Sequence, residues 1–168
     1  MTIARTNPIL LCLLLAACGG SSSGGGGDDT AGGEGDGPGD TVHASAIELI
    51  GINPPEVPWS EMSHEDREMD MVARFHPIFR ELFQRHDATE HAEFGCGDCH
   101  GEDMSERNFA MPSRHLPAVP PHGTPAYERE RAEHPRDFAW MEQDILPAMQ
   151  TMLGMGETFT CNGCHPAP

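Results

Sequence analysis

The chain has 168 residues, of which 38% are hydrophobic and only 6% aromatic, and its formal net charge is −17 at pH 7. These values leave room for one ordinary domain with a thin apolar core. All ten basic residues are arginines, against 27 acidic ones, which excludes a nucleic-acid binder that works through a basic patch. A chain this polar needs a further stabilising element, such as a metal, disulfides or a cofactor.

The first 18 residues predict export and lipidation. Arg5 gives a positively charged start, residues 9–15 form a short apolar run, and the following Leu15-Ala16-Ala17-Cys18 resembles a bacterial lipobox. The apolar run is shorter than the ~20 residues of a membrane-spanning helix. We therefore expect residues 1–17 to be a lipoprotein signal peptide and Cys18 to be lipidated. The alternative is an ordinary secretory signal with a coincidental cysteine.

A glycine-rich tract follows the signal. Of the 22 residues from Gly19 to Asp40, 11 are glycine, 3 are serine and 5 are acidic, and none is large and apolar. Such a segment cannot bury enough surface to offset the entropy that it would lose on ordering. We expect residues 18–40 to be a disordered linker and residues 41–168 to be a single folded domain.

The folded part is predicted to be mainly α-helical. Residues 41–59 are interrupted by prolines and predict extended chain. Ser63 then provides an N-cap, and apolar residues recur at helical spacing as far as Phe83. Pro77 should kink or restart this helix near His76, because proline lacks the N–H group that a helix interior needs.

A second passage repeats this arrangement. Residues 137–153 form an apolar-periodic segment that contains Pro147, with Gly154 as its C-cap, and aligning Pro77 with Pro147 superposes apolar positions of the two helices. Each helix leads through a polar turn into Phe-x-Cys-x-x-Cys-His. The sequence therefore predicts two Pro-kinked helix–turn–motif modules. A mostly extended loop at residues 101–135, packed on something flat and apolar, joins them.

The two motifs read Cys96-Gly97-Asp98-Cys99-His100 and Cys161-Asn162-Gly163-Cys164-His165. This spacing is that of c-type haem attachment. Two cysteines three residues apart on a helical turn can add across the two vinyl groups at one porphyrin edge, and the adjacent histidine then faces the iron. We expect two covalently bound haem c groups. Cys96, Cys99, Cys161 and Cys164 would hold them, with His100 and His165 as proximal ligands.

Other chemistries of paired cysteines explain less of the pattern. A structural zinc site could use four thiolates, and two disulfides would suit an exported chain, but neither accounts for the histidine after each pair. A thioredoxin-like dithiol requires a strand–helix–strand context, which the sequence does not predict.

The distal ligand sets both the potential and the reactivity of a haem. For the second haem it must come from upstream, because only three residues follow His165. Met149, on the helix that feeds the turn, is the preferred ligand. Met152 comes next, and Met155 lies beyond Gly154.

For the first haem, the position that matches Met149 is Phe79, which cannot bind iron. His76 lies about one helical turn earlier and can share the same face, so it is the preferred ligand. The alternatives are Met71, His86, His91, Met111 and His115. Of these, His86 and His91 stand in a charged stretch and are expected to be solvated.

A helix that carries an axial ligand, followed by a turn and Cys-x-x-Cys-His, resembles the haem modules of the cytochrome subunit of photosynthetic reaction centres. The resemblance covers residues 69–100 and 137–165, and Met149 matches the helix-borne methionine of that family. It implies a small, membrane-tethered, multihaem cytochrome c that transfers electrons and is not an enzyme. The alternative is a haem-based enzyme or a small-ligand sensor with one open iron coordination position.

The export signal and the charge also bear on location and partners. A lipidated chain would lie at the cell envelope, facing the periplasm or the outside. A strongly acidic protein favours a redox partner with a basic docking face.

Overall fold

The computed structural model of the chain describes residues 44–168. These residues are mainly helical, and no strand occurs among them. The α-helices are α1 (Ala46–Ile50), α2 (His64–Asp70), α3 (His76–His86), α4 (Cys96–His100), α5 (Pro125–Glu133), α6 (Pro135–Trp140) and α7 (Leu146–Met152). Two π-helical turns span Met71–Phe75 and Met141–Ile145, and 3₁₀ turns span Trp59–Glu61, Gly156–Thr158 and Cys161–Gly163.

The predicted signal peptide (residues 1–17), the lipidated Cys18 and the linker (residues 18–40) lie outside the described residues. From residue 44 to residue 168, no helix combines the length and the apolar character needed to cross a bilayer.

The first long helix runs through α2, a π turn and α3. Ser63 Oγ accepts a hydrogen bond from Asp66 N at 3.1 Å, which confirms the predicted N-cap. Pro77 has no N–H to donate, and its ring crowds the carbonyl four residues earlier. The chain accommodates both effects by widening into the π turn Met71–Phe75, and the regular α-helix resumes at His76. The predicted restart therefore takes the form of a π turn.

The second long helix has the same construction. The π turn Met141–Ile145 separates α6 from α7, and Pro147 stands six residues after the start of this turn, as Pro77 does in the first helix. Because both helices widen at the same distance before a proline, the two modules share a backbone geometry as well as a sequence pattern.

Gly154 ends the second helix, as the sequence predicts. Its φ angle is 66°, a left-handed conformation that glycine adopts without a steric penalty. Its amide donates to Thr151 O at 3.0 Å, and the amide of Met155 donates to Gln150 O at 3.1 Å. This pair of hydrogen bonds is a Schellman motif, which satisfies the last carbonyls of the helix.

The core lies between the two long helices. Residues at equal distances from the two prolines are buried together: Ile78 and Ala148, Leu82 and Met152, Phe83 and Leu153. The helices meet where the Trp140 ring stands edge-on to the Phe83 ring, with centroids 4.8 Å apart. The internal repeat seen in the sequence is thus a repeat of buried positions.

Two predictions of extended chain are wrong in part. Residues 41–59 include α1, which Ser45 caps by accepting a hydrogen bond from Glu48 N at 3.2 Å. Residues 101–135 include α5, which Thr124 caps by accepting from Tyr127 N at 3.2 Å. In both places a local cap outweighs the nearby prolines. Pro125 even favours its helix, because proline suits the first helical position.

The carboxylate of Glu81 ties α1 to α3. Its Oε1 accepts a hydrogen bond from Ser45 Oγ at 2.7 Å and its Oε2 accepts one from Ile47 N at 3.1 Å, while Arg85 forms an ion pair with it. Burial raises the pKa of this carboxyl, but the hydrogen bonds and the Arg85 charge outweigh burial, so the pKa of Glu81 is lowered. The ionised form therefore holds α1 in place.

We predict that Glu81→Gln lowers the free energy of unfolding at pH 7 by about 1–2 kcal/mol, because an amide accepts these hydrogen bonds more weakly than a carboxylate. The pKa of Glu81 is lower in the folded chain than the ordinary value of 4.5. Its contribution is therefore present above pH 4.5 and lost as the pH falls through the folded pKa. Urea unfolding should show the variant and the wild type converging at acid pH.

Glu68 is exposed, so Glu68→Gln is the matched control. It should leave the free energy of unfolding unchanged both at pH 7 and at acid pH. An equal loss in the two variants would contradict a specific role for Glu81.

Candidate functional site

The first Cys-x-x-Cys-His motif forms α4, a single helical turn. Asp98, between the two cysteines, accepts a hydrogen bond from Gly95 N at 2.8 Å and so closes the start of the turn. The turn ends at Gly101, which has a φ of 85°. A Cβ atom there would lie 2.3 Å from His115 Cδ2. This position therefore requires glycine, both for its backbone conformation and for the close neighbour.

The second motif forms the 3₁₀ turn Cys161–Gly163. The amide of His165 donates to Cys161 O at 2.8 Å, which folds the histidine back towards the first cysteine. The Phe159 ring lies against Gly163, where a Cβ atom would come within 2.4 Å of Phe159 Cε2. The absence of a side chain at Gly163 thus lets the aromatic residue before the motif pack directly on its backbone.

Part of the central loop runs alongside the second motif. Ser113 N donates to Cys164 O and Val119 N donates to Pro166 O, both at 2.9 Å. The side-chain amide of Asn162 donates to Val119 O at 2.8 Å. The loop was expected to pack on something flat and apolar, and the structure shows that main-chain hydrogen bonds fasten it to the motif itself.

The same loop orients His165. Its Nδ1 lies 2.9 Å from the carbonyl oxygen of Pro117. Because a carbonyl can only accept a hydrogen bond, Nδ1 carries the hydrogen, and in the neutral ring the lone pair is then on Nε2. Metal-binding histidines are held in this way, with one ring nitrogen donating to a main-chain acceptor and the other turned to the metal.

His100 has a different environment. Its half-buried ring stands edge-on to the Phe109 ring, with centroids 5.5 Å apart, and among residues 44–168 no group accepts a hydrogen bond from its buried Nδ1. Burial lowers the pKa of His100, the Phe109 carbonyl acts against this, and the Arg107 charge adds to it. The imidazole is therefore neutral, which is the form that binds metals.

Three of the motif thiols are buried enough to stay protonated. Burial raises the pKa of Cys99 to about 12 and the pKa of Cys164 to about 11, and it also raises that of Cys161. The Cys164 group also raises the pKa of Cys99. Cys96 is exposed. Neutral, buried sulfur suits a thioether, which carries no charge.

The donor geometry also bears on the alternative chemistries. Within the described part of the chain, the four cysteines form no disulfide. No three donor atoms of the two motifs gather within 4.8 Å of one another, as a single tetrahedral zinc would require; in residues 44–168 only the exposed Glu130, Glu133 and His134 do so.

The preferred distal ligands lie on the two long helices. His76 is half-buried, and its ring stacks on Phe94 with centroids 6.0 Å apart, two residues before Cys96. Met149 is half-buried at the edge of the core, whereas Met152 is completely buried within it. Gln150, next to Met149, donates to Phe159 O at 2.9 Å. Each helix is thus fastened to the residues that lead into its own motif.

The expectation that His86 is solvated is wrong. Its side chain is only 12% exposed, because its ring stacks on Trp140 with centroids 4.0 Å apart. Its Nε2 lies 3.3 Å from Asp137 Oδ1. His91 is half-buried as well, and its ring stands edge-on to Phe83 at 5.0 Å. The charged stretch misleads because Trp140, which lies on the other long helix, packs against both rings.

The remaining alternatives for the first haem have differing surroundings. His115 Nε2 is hydrogen-bonded to Asp103 Oδ1 at 2.7 Å. Met71 packs against the core, and Met111 is half-buried in the central loop.

Sequence reasoning missed Tyr127, the only tyrosine of the chain. It is 1% exposed, and its hydroxyl donates to Glu142 Oε1 at 2.6 Å. Burial, the Glu142 hydrogen bond and nearby Cys161 all raise the pKa of Tyr127. Tyr127 therefore joins α5 to the π turn of the second helix beside the second motif. The sequence feature that could have indicated Tyr127 is Thr124-Pro125, which predicts the start of a helix with Tyr127 in its first turn.

Comparison with protein-family models, curated protein sequences and solved structures finds no match to this chain. Its function is therefore inferred from its own residues.

We predict that Tyr127→Phe lowers the free energy of unfolding by about 1–2 kcal/mol, because the variant loses the hydrogen bond to Glu142 and leaves that carboxylate with one partner fewer. Thermal unfolding followed by circular dichroism measures the change. Thr89→Val, which removes a hydroxyl from an exposed residue, is the control and should have little effect. Equal stability of Tyr127→Phe and wild type would show that the hydrogen bond contributes nothing.

Proposed function

We propose that this protein is a di-haem c-type cytochrome that carries electrons at the cell envelope. The observation that carries the proposal is the setting of His165. It follows a Cys-x-x-Cys turn directly, and its Nδ1 is hydrogen-bonded to the Pro117 carbonyl, which leaves Nε2 for an iron. A purely structural role for this histidine would not explain why it directly follows a pair of cysteines.

The remaining residues of the two motifs fit the same group. Cys96 with Cys99, and Cys161 with Cys164, stand on helical turns that bring each pair to one side. The buried sulfurs are protonated and uncharged, so conversion to thioethers loses no favourable charge interaction. The pKa of His100 is lowered by burial, so its imidazole is neutral, as a ring that ligates iron must be.

Bound haem would supply the one-electron chemistry of iron. The chain holds and orients it: the cysteines anchor the ring edge, and His100 and His165 are the proximal ligands.

The distal ligands that we propose are Met149 for the second haem and His76 for the first. Met149 stands at the edge of the core, while the complete burial of Met152 gives that residue a packing role. His76 lies next to the residues that precede the first motif, because its ring stacks on Phe94. A carrier with both irons closed by protein ligands has no position for a substrate, which favours electron transfer over catalysis.

The location and partners of the protein follow from the rest of the chain. Lipidation at Cys18 would hold it at the membrane surface through the linker, facing the periplasm or the outside. A net charge of −17 favours a redox partner with a basic docking face.

We predict two haems per chain in the matured protein. The pyridine haemochrome absorbance and the intact mass should both report two groups that acid–acetone does not extract. The double variant Cys96→Ala/Cys99→Ala should lose one of them, and Cys161→Ala/Cys164→Ala should lose the other. Thr89→Val, an exposed residue outside both motifs, should retain both. A matured protein with bound zinc and no Soret band would refute the proposal.

We predict that the haem next to Met149 has the higher reduction potential, because a sulfur ligand favours ferrous iron more than an imidazole does. Met149→His should lower one potential and abolish the weak long-wavelength band of methionine-ligated ferric haem. Met152→Leu is the control and should retain that band.

His76→Ala should open the first iron to carbon monoxide without changing that band. If the first haem of this variant stays six-coordinate, its ligand lies elsewhere and Met111 becomes the next candidate. Ready binding of carbon monoxide by the wild type would instead favour an enzyme or a ligand sensor.

We predict that the wild-type protein fractionates with membranes and that Cys18→Ala does not. A single acyl chain anchors weakly, so stable retention requires more than one chain, which bacterial lipoprotein processing provides. Metabolic labelling with a fatty acid, followed by fractionation, measures both effects. Recovery of wild-type protein as a soluble species without lipid would rule out the anchor.

A further inference from the structure

The turn at Asn108–Phe109 is strained. Both residues are in the left-handed region, with φ angles of 53° and 56°. For residues other than glycine this conformation has a steric cost, although asparagine tolerates it better than most. A phenylalanine there is uncommon, so the surrounding structure must compensate for the cost.

Several main-chain hydrogen bonds hold this turn. Phe109 N donates to Met104 O at 2.8 Å. The guanidinium of Arg107 donates through Nη2 to the carbonyls of Ala110 and Pro112, both at 3.2 Å. Arg107 therefore closes the loop that carries Phe109.

The ring points at His100. The two rings stand nearly perpendicular, at 86°, with centroids 5.5 Å apart. The main-chain carbonyl of Phe109 also acts to raise the pKa of the imidazole. The second motif offers a comparison, because the Pro117 carbonyl there holds His165 by a hydrogen bond of 2.9 Å. His100 has no such bond from its Nδ1 within residues 44–168. Contact with Phe109 takes the place that a hydrogen bond has in the second motif.

We propose that Phe109 is the positioning residue for His100, and that its ring fixes the plane of the imidazole that ligates the first haem iron. This inference rests on the proposed function. The orientation of an axial imidazole determines how its π orbitals overlap the iron d orbitals. A change in orientation therefore alters the paramagnetic resonance of ferric haem and its reduction potential. The strain at Asn108–Phe109 is maintained because it aims the ring.

The test compares two glycine substitutions in the haem-loaded protein. Phe109→Gly relieves one left-handed residue and removes the ring, whereas Asn108→Gly relieves the neighbouring one and leaves the ring in place. Electron paramagnetic resonance and a redox titration follow each haem. The signals of the first haem are those lost in Cys96→Ala/Cys99→Ala.

We expect Phe109→Gly to shift the g values and the reduction potential of the first haem and to leave those of the second unchanged. Asn108→Gly should alter neither haem. Phe109→Leu, which keeps the bulk and the backbone conformation but not the flat ring, should shift the first haem in the same way, and it carries the test if Phe109→Gly does not fold.

Unchanged signals in the folded Phe109 variants would overturn the inference, and so would equal shifts in Asn108→Gly and Phe109→Gly. Both results would leave the proposed function intact, because two haems would still be bound. A wild-type chain without haem would refute the proposed function, and this inference with it.

Discussion

The packing of the domain depends on Phe83. Its buried ring contacts Phe94 at a centroid distance of 4.5 Å, Trp140 at 4.8 Å and His91 at 5.0 Å. These three rings come from the lead into the first motif, from the second long helix and from the turn between α3 and α4. One side chain thus fixes the relative position of the two helices and the first motif. A chain with few aromatic residues concentrates them where three segments meet.

The central loop holds the second motif through main-chain groups. The contacts use the amides and carbonyls of loop residues whose side chains differ in kind, among them Ser113, Pro117 and Val119. Apolar contacts are non-directional, whereas hydrogen bonds fix an orientation. The aromatic cluster therefore sets the distances between segments, and the loop sets the direction of His165.

The sequence predicted the parts of the fold that local chemistry determines. Ser63 and Gly154 marked helix ends because caps are short-range interactions, and Pro77 marked a backbone disruption because its ring constrains only its own helix. Its outcome as a π turn depends on how the helix packs, which no local pattern specifies. The prediction missed the short helix α1 because it gave the prolines after this segment more weight than the cap formed by Ser45 and Glu48. In the structure the cap forms and the helix with it.

For the candidate site, the motif residues can be proposed from the sequence alone, because the spacing of Cys-x-x-Cys-His is a local pattern with a known chemical use. The surroundings were not predictable, since they are long-range. Pro117 reaches His165 across 48 residues, and His86 meets Asp137 across 51 residues. Tyr127 and the left-handed Phe109 also acquire their roles only through tertiary contacts.

The main-chain character of the loop contacts limits how this protein can diverge. Residues 113–119 hold the second motif through amides and carbonyls that nearly every amino acid provides. Apart from the buried Ser113, and from proline at the two donating amides, substitutions along this stretch would preserve the contacts. A single insertion or deletion would instead move the Pro117 carbonyl out of register with His165. Relatives of this chain should keep the length of the segment between Ser113 and Val119 while its side chains drift.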